Sequence, residues 1–262
     1  NMCTMKGLDV FRSYFSAYQD QYVLIGGAAC DILFEQANAP FRATKDLDMV
    51  LVVEALTPEF GRQFWRFIRD GGYEHRAKSN GSPQFYRFDK PKAVGFPFMI
   101  ELFSRIPGVF RGELEGPCTP MPLGEEISSL SAILLDADYY ELLLQGRVEV
   151  DSLMVLSPPC LILFKAKAFL ELRARRAEGA HVDQSSIQKH KNDIVRLATI
   201  LTGRERCELP GAIQQDLERF LTILAEEPVD LKSMRLGRLQ MVDVITRLRQ
   251  VFVSQATVAG VK

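Results

Sequence analysis

The chain has 262 residues, 47% of them hydrophobic and 25% charged, the balance of a protein with a core to bury rather than of a disordered one. Its length is near the size at which single cores stop growing, which predicts two units. A formal net charge of -1 excludes a global basic field of the kind that drives nonspecific nucleic-acid binding. The longest apolar run of the first half, Tyr22 to Ile25 with the small residues behind it, falls far short of the roughly 20 residues of a membrane-spanning helix, so no membrane span is expected. No apolar leader opens the sequence, and the five scattered cysteines have no Cys-x-x-Cys spacing. They predict reduced thiols in a cytoplasmic protein, with neither a disulfide framework nor a zinc knuckle.

Apolar positions Leu8, Val10, Phe11, Phe15 and Tyr18 predict a helix within residues 7–20, and residues 22–25 read as a buried strand. Gly26 and Gly27 follow at a strand-to-helix turn, because a helical pattern resumes over residues 28–36. The next strand, 47–53, opens beside an alternation that puts Asp46 and Asp48 on one face and Leu47 and Met49 on the other. Residues 58–70 form an amphipathic helix closed by Gly71 and Gly72, in which Phe60, Phe64, Trp65 and Phe67 are core packing. Strands are predicted at 84–88 and 98–103, a Gly- and Pro-rich surface loop at 107–126, and one returning strand at 148–155. After Ser157-Pro158-Pro159 the pattern becomes helical over 161–176, 185–202, 211–226 and 236–253. The expected fold is therefore α/β (α+β): a core domain at 1–156 with a mixed sheet flanked by helices, then a helical domain at 157–262. No internal repeat argues for a solenoid or propeller.

The chemistry concentrates between residues 26 and 48. Glycines at a strand-to-helix turn let backbone amides approach a triphosphate, and the first amides of the following helix meet its negative charge. Two aspartates at i and i+2 on a strand project from one face, close enough to share divalent ions as two-metal nucleotidyl transfer requires. A third carboxylate from a neighbouring strand is the usual complement, and Glu101, an acid alone among apolar residues, is the candidate. Its structural alternative is an ion pair with Arg105 or Arg87. A basic cluster of Arg173, Arg175, Arg176, Lys189, His190 and Lys191 is either an RNA-binding patch or a solvated helix face. His75, His181 and His190 are too scattered to form a metal site.

Four segments resemble, in order, motifs of the nucleotidyltransferase superfamily with the DNA polymerase beta type of core, and within it the AbiEii-like branch. Leu24-Ile-Gly-Gly-Ala-Ala29 is similar to that branch's Gly-Gly-x-Ala-Leu motif. Arg42-Ala-Thr-Lys-Asp-Leu-Asp-Met49 resembles its Arg-x-Thr/Ser-x-Asp-Leu-Asp motif. Ser157 to Lys165 resembles a Ser-Pro-Glu-Asp-Leu-Leu-x-x-Lys helix opening, and Lys191 to Leu197 a Lys/Arg-Asp-Leu-Tyr-Asp-Leu segment. The chain departs from these patterns at Pro159-Cys160, Asn192 and Arg196. The resemblance implies a nucleotidyltransferase core and an enzyme that uses a nucleoside triphosphate (NTP) with magnesium (Mg2+) or manganese (Mn2+) and releases pyrophosphate. It also implies Asp46 and Asp48 as metal ligands, Gly26, Gly27 and Thr44 as phosphate contacts, and Lys165 and Asp193 as nucleotide-site residues; a lysine on a helix is in itself a compact cation for a triphosphate, with Arg42 a second. Members of the branch act as toxins paired with an antitoxin protein, and some modify the acceptor end of tRNA. An RNA acceptor is thus one expectation. The same chemistry on a small molecule, as in antibiotic-modifying nucleotidyltransferases, and a non-catalytic nucleotide-binding module are the alternatives. Surface acids paired with Lys189 or Arg196 would explain Asp193 without any nucleotide, and a helix residue lying along its own surface would explain Lys165.

Overall fold

A computed structural model describes residues 5–78, 84–105, 130 and 132–254. The loop expected at 107–126 lies outside them, as do Cys3 and Cys118. Contacts divide the chain into two compact units, residues 1–123 with 143–157 and residues 124–142 with 158–262.

In the first unit, α1 (Leu8–Phe15) leads through a 3-10 turn (Gln19–Gln21) into β1 (Tyr22–Ile25), and α2 (Gly26–Gln36) follows without a break. Then come β2 (Asp46–Leu51), α3 (Pro58–Gly71), β3 (Glu74–Lys78), β4 (Gln84–Asp89), β5 (Met99–Ser104), β6 (Arg147–Val150) and β7 (Leu153–Leu156). The strands form a seven-stranded mixed sheet in the order β3-β4-β5-β2-β1-β7-β6. β2 runs antiparallel to β1 and parallel to β5, while β1 and β7 are parallel.

The start of α3 is set by Thr57, whose hydroxyl accepts the Phe60 amide, with Pro58 at the first helical position. Gly72 ends the helix in the left-handed conformation, φ 62°. The aromatic side of α3 meets α1 and the sheet. Phe67 packs edge-on to Phe11 at 5.8 Å, Phe11 against Tyr22 of β1 at 5.6 Å, and Phe64 against Phe88 of β4 at 5.4 Å. Phe60, Phe64, Trp65 and Phe67 are all buried, as expected of core residues. Tyr22 and Phe88 share a face with Leu47 and Met49, because their register partners alternate with those of the acids. α1 and α3 therefore seal the apolar face of the sheet, and Asp46 and Asp48 belong to the other.

Three corrections to the predicted elements fall before residue 157, the last of them mostly within the second unit. The strand expected over 148–155 is a hairpin, β6 and β7, turning at Asp151 and Ser152, both with positive φ (47° and 61°), the two-residue turn that fits strand twist. β3, with the sequence Glu-His-Arg-Ala-Lys, has no apolar alternation to announce it. α4 (Ala137–Gln145) also had no place among the predicted elements.

The second unit is helical. It contains α5 (Pro158–Ala177), α6 (Gln184–Ile200), α7 (Gly211–Glu226) and α8 (Met241–Val251). A short parallel pair, β8 (Cys207–Leu209) with β9 (Phe252–Ser254), was not anticipated. Asp183 caps α6 by accepting the Ser185 amide, and Phe169 packs edge-on to Phe220 at 5.3 Å between α5 and α7. Among the described residues Cys30, Cys160 and Cys207 are in no disulfide. Among the described residues no helix is long and apolar enough to cross a membrane.

Candidate active site

The turn between β1 and α2 brings the sequence motifs together. Gly26 adopts φ 63°, a left-handed conformation that an L side chain rarely tolerates. A Cβ placed there would stand 1.8 Å from Asp48 Oδ2, so the Asp48 carboxylate occupies the space that the missing side chain leaves. At Gly27 a Cβ would stand 2.5 Å from Thr44 Oγ1 and 3.6 Å from Arg42 Nη2. Five residues separated by up to 22 positions, Gly26, Gly27, Arg42, Thr44 and Asp48, thus close on one backbone turn at the N-terminus of α2. The β1–β2 register causes this, since Ile25 pairs with Asp48 and delivers the glycines to that end of β2.

Asp46 and Asp48 are half-buried and Leu47 and Met49 are fully covered, the alternation expected of a strand with one face in the core. Arg42 is steadied by its neighbour: its guanidinium lies over the Phe41 ring at 5.2 Å, and Phe41 meets Phe34 of α2 at 4.9 Å.

Glu101 of β5 is the register partner of Asp48 and Arg87 of β4 is the register partner of Glu101, so the three stand in one row on one face. Arg87 donates to Glu101 Oε1 from Nε at 3.0 Å and from Nη2 at 2.5 Å. The ion pair considered for Glu101 therefore exists, with Arg87 as its partner. Among the described residues no group of three or more His, Cys, Asp or Glu converges closely enough to hold a metal ion. The oxygen-only pair Asp46 and Asp48 suits a hard divalent ion such as magnesium, which takes one or two protein carboxylates and completes its shell with phosphate and water.

Asp31, on α2 one turn beyond Gly27, is an acid that the sequence reading passed over. It is buried and accepts the Met5 amide at Oδ2, 2.7 Å. Burial pushes its carboxyl above the usual range, opposed by that hydrogen bond and by the Arg42 charge. The available signal was an aspartate inside the apolar run Ala-Ala-Cys-Asp-Ile-Leu-Phe.

The remaining predicted site residues, Lys165 and Asp193, belong to the second unit. Lys165 Nζ lies 2.9 Å from Asp193 Oδ2, and the two side chains are 7% and 1% exposed. The ion pair shown for Asp193 is thus with Lys165, 28 residues before it in the chain. The basic cluster is largely used within its own unit. Arg173 makes a two-pronged pair with Glu227, both contacts 2.7 Å. Lys191 is buried, donates to the Glu227 carbonyl at 2.9 Å and lies over the Phe169 ring at 5.9 Å. Arg176 donates to Gln184 Oε1 at 2.7 Å.

No protein-family model matches the sequence, and no curated protein matches it. Among solved structures the chain is similar to one described as the crystal structure of an antigenic nucleotidyltransferase-like protein from Paracoccidioides brasiliensis. The two share 16% sequence identity at a TM-score of 0.43, over 88% of this chain and 94% of that one.

Proposed function

We propose that this protein is a metal-dependent nucleotidyltransferase that moves a nucleoside monophosphate from a nucleoside triphosphate to an acceptor hydroxyl. The observation that carries the reading is the closure of Asp48, Thr44 and Arg42 over the Gly26–Gly27 turn, with Asp46 beside them on the same strand face. The turn supplies backbone amides at a helix N-terminus for phosphate oxygens. Thr44 adds a hydroxyl and Arg42 a planar cation suited to phosphate. Asp46 and Asp48 would hold magnesium or manganese, which supplies Lewis-acid neutralisation of the charge building on the transferring phosphoryl group. The acceptor oxygen forms a bond to the α-phosphorus as the α–β phosphoanhydride bond breaks. Pyrophosphate departs with the bonding pair, and a carboxylate of the site takes the acceptor's proton.

The membership of the AbiEii-like branch, the toxin role with an antitoxin partner, and an RNA or tRNA acceptor are the finer parts of this proposal. The fate of the basic cluster favours a second reading of the acceptor: with Arg173, Arg176 and Lys191 engaged inside their own unit, a small-molecule hydroxyl is the better match.

The test is incorporation of label from each α-phosphate-labelled triphosphate, with magnesium, onto total RNA or onto a panel of small hydroxylated acceptors. Asp46→Asn and Asp48→Asn are expected to lower transfer by at least about 100-fold, the range seen when preorganised charge is removed from an active site. Undiminished transfer in either variant would refute the assignment. Tight triphosphate binding with no transfer to any acceptor would point to the non-catalytic module.

A further inference from the structure

The register of the sheet places a third carboxylate beside the aspartate pair, yet the carboxylates do not gather. Glu101 is in line with Asp48 on the adjacent parallel strand. Its carboxylate is turned to Arg87, on the strand beyond, by two hydrogen bonds to the same oxygen. Both side chains are mostly covered, 23% exposed for Arg87 and 12% for Glu101, so taking either partner away leaves a largely covered charge that needs a new counter-charge. Strands lie about 4.8 Å apart, which puts the Arg87 backbone about 10 Å from that of Asp48, and an extended arginine covers most of that span. A triphosphate seated at the Gly26–Gly27 turn would thus come within reach of the Arg87 guanidinium, whose fork matches phosphate oxygens as well as it matches a carboxylate.

We propose that Arg87 is a positioning residue which holds Glu101 away from the Asp46–Asp48 pair until the phosphates of a nucleotide draw the guanidinium off. Glu101 then becomes the third carboxylate only in the presence of substrate. The inference rests on the nucleotidyltransferase reading of the aspartates and adds an order of events to it. Before nucleotide binds, the site offers two carboxylates and holds metal weakly. Once the phosphates have taken Arg87, it offers three. The arrangement couples metal affinity to nucleotide through one exchange of partners, because Glu101 and the phosphates compete for the same cation.

The experiment uses the full chain without nucleotide and reads binding alone. Manganese affinity is measured by titration for the wild type, Arg87→Gln, Arg87→Lys, Glu101→Gln, the Arg87→Gln/Glu101→Gln pair and Asp48→Asn. Inorganic tripolyphosphate affinity is measured separately, without metal. Arg87→Gln is expected to bind manganese about ten-fold more tightly than the wild type, the scale on which a group that orients a ligand affects metal affinity. Adding Glu101→Gln should cancel that gain, and Arg87→Gln should bind tripolyphosphate at least about ten-fold more weakly. Near-ultraviolet circular dichroism identifies any variant that has lost its packing. Arg87→Lys, which keeps the charge and loses the fork, then stands in with smaller changes of the same sign. Manganese affinity unchanged or weakened in a folded Arg87 variant, or tripolyphosphate affinity unchanged, would overturn the inference. If Asp48→Asn itself left manganese binding intact, the fault would lie with the reading of the aspartates instead.

Discussion

Gly26 is where backbone conformation and site geometry depend on the same atom's absence. Its φ of 63° and the 1.8 Å separation of a hypothetical Cβ from Asp48 Oδ2 mean that Gly26→Ala must both strain the turn and displace the carboxylate. The strain alone costs about 1–3 kcal/mol, and a displacement of about 1 Å at a reacting centre costs about 100-fold in rate. A Gly26→Ala protein that melts within a degree of the wild type and transfers nucleotide normally would show that the carboxylate is not fixed by this contact. The Lys165–Asp193 pair is a different case, since each charge is buried and met by the other. Lys165→Met leaves an uncompensated carboxylate and should destabilise by about 3–5 kcal/mol, whereas the double variant Lys165→Met/Asp193→Leu should recover most of that loss. Denaturant unfolding of the three variants checks this, and equal instability of single and double variants would count against it. Gly26 stood out as a glycine at a strand end, and Lys165 through the resemblance of Ser157 to Lys165 to a helix-opening motif. The pairing of Lys165 with Asp193 was not legible, because 28 residues separate them and sequence spacing ranks only near neighbours on one helix.

At the scale of elements, the β1-turn-α2 unit and β2 could be read directly, because a short apolar run, two glycines and a strict alternation each have one physical solution. Elements whose residues break the usual chemistry could not. β3 pairs with β4 over five residues although its side chains are mostly polar, so tertiary pairing overrides pattern. The Asp151–Ser152 turn carries no glycine in spite of its two positive φ values, which is why one strand was expected where a hairpin stands. The helix ends of the second unit are joined by a similarly non-local device. Glu227 closes α7, accepts both Arg173 nitrogens from α5, and offers its carbonyl to Lys191 of α6. The Arg173 hydrogen bonds hold the Glu227 carboxyl below its ordinary 4.5, against a smaller opposing effect of burial. A carboxylate depressed in this way stabilises the fold above its unfolded pKa, and that stabilisation disappears as pH falls through the lowered folded value. Glu227→Gln should therefore lower the melting temperature by roughly 1–3 °C at neutral pH, as befits a pair that is about half exposed. The difference should shrink below pH 4.5 and vanish at lower pH. A gap between variant and wild type that persisted in acid would assign the effect to packing instead of charge.

For the whole molecule, the division into units is not a single cut along the chain, because residues 124–142 group with 158–262 while 143–157 group with the sheet. The reason for the first of these is visible at Tyr139 of α4. Its ring is 2% exposed and packs edge-on to Phe164 at 5.6 Å. Its hydroxyl donates to Asp216 Oδ2 at 3.1 Å, the oxygen that Lys167 Nζ also reaches at 3.0 Å. Burial, reinforced by the Asp216 charge, raises the Tyr139 pKa well above its ordinary value, so the phenol keeps its proton and remains a donor. An isolated fragment 158–262 would lack that ring and hydroxyl, exposing the Phe164 side and leaving Asp216 with one fewer donor. In the full chain Tyr139→Ala should cost about 3–5 kcal/mol through the cavity it leaves, and Tyr139→Phe about 0.5–1.5 kcal/mol for the hydrogen bond alone. The fragment should accordingly unfold with low cooperativity and bind a hydrophobic dye, and a peptide of residues 124–145 added in trans should raise its denaturant midpoint. If the fragment instead unfolded cooperatively at the same midpoint with or without the peptide, the helices after residue 157 would form a self-sufficient domain, and Tyr139 would be a passenger on it.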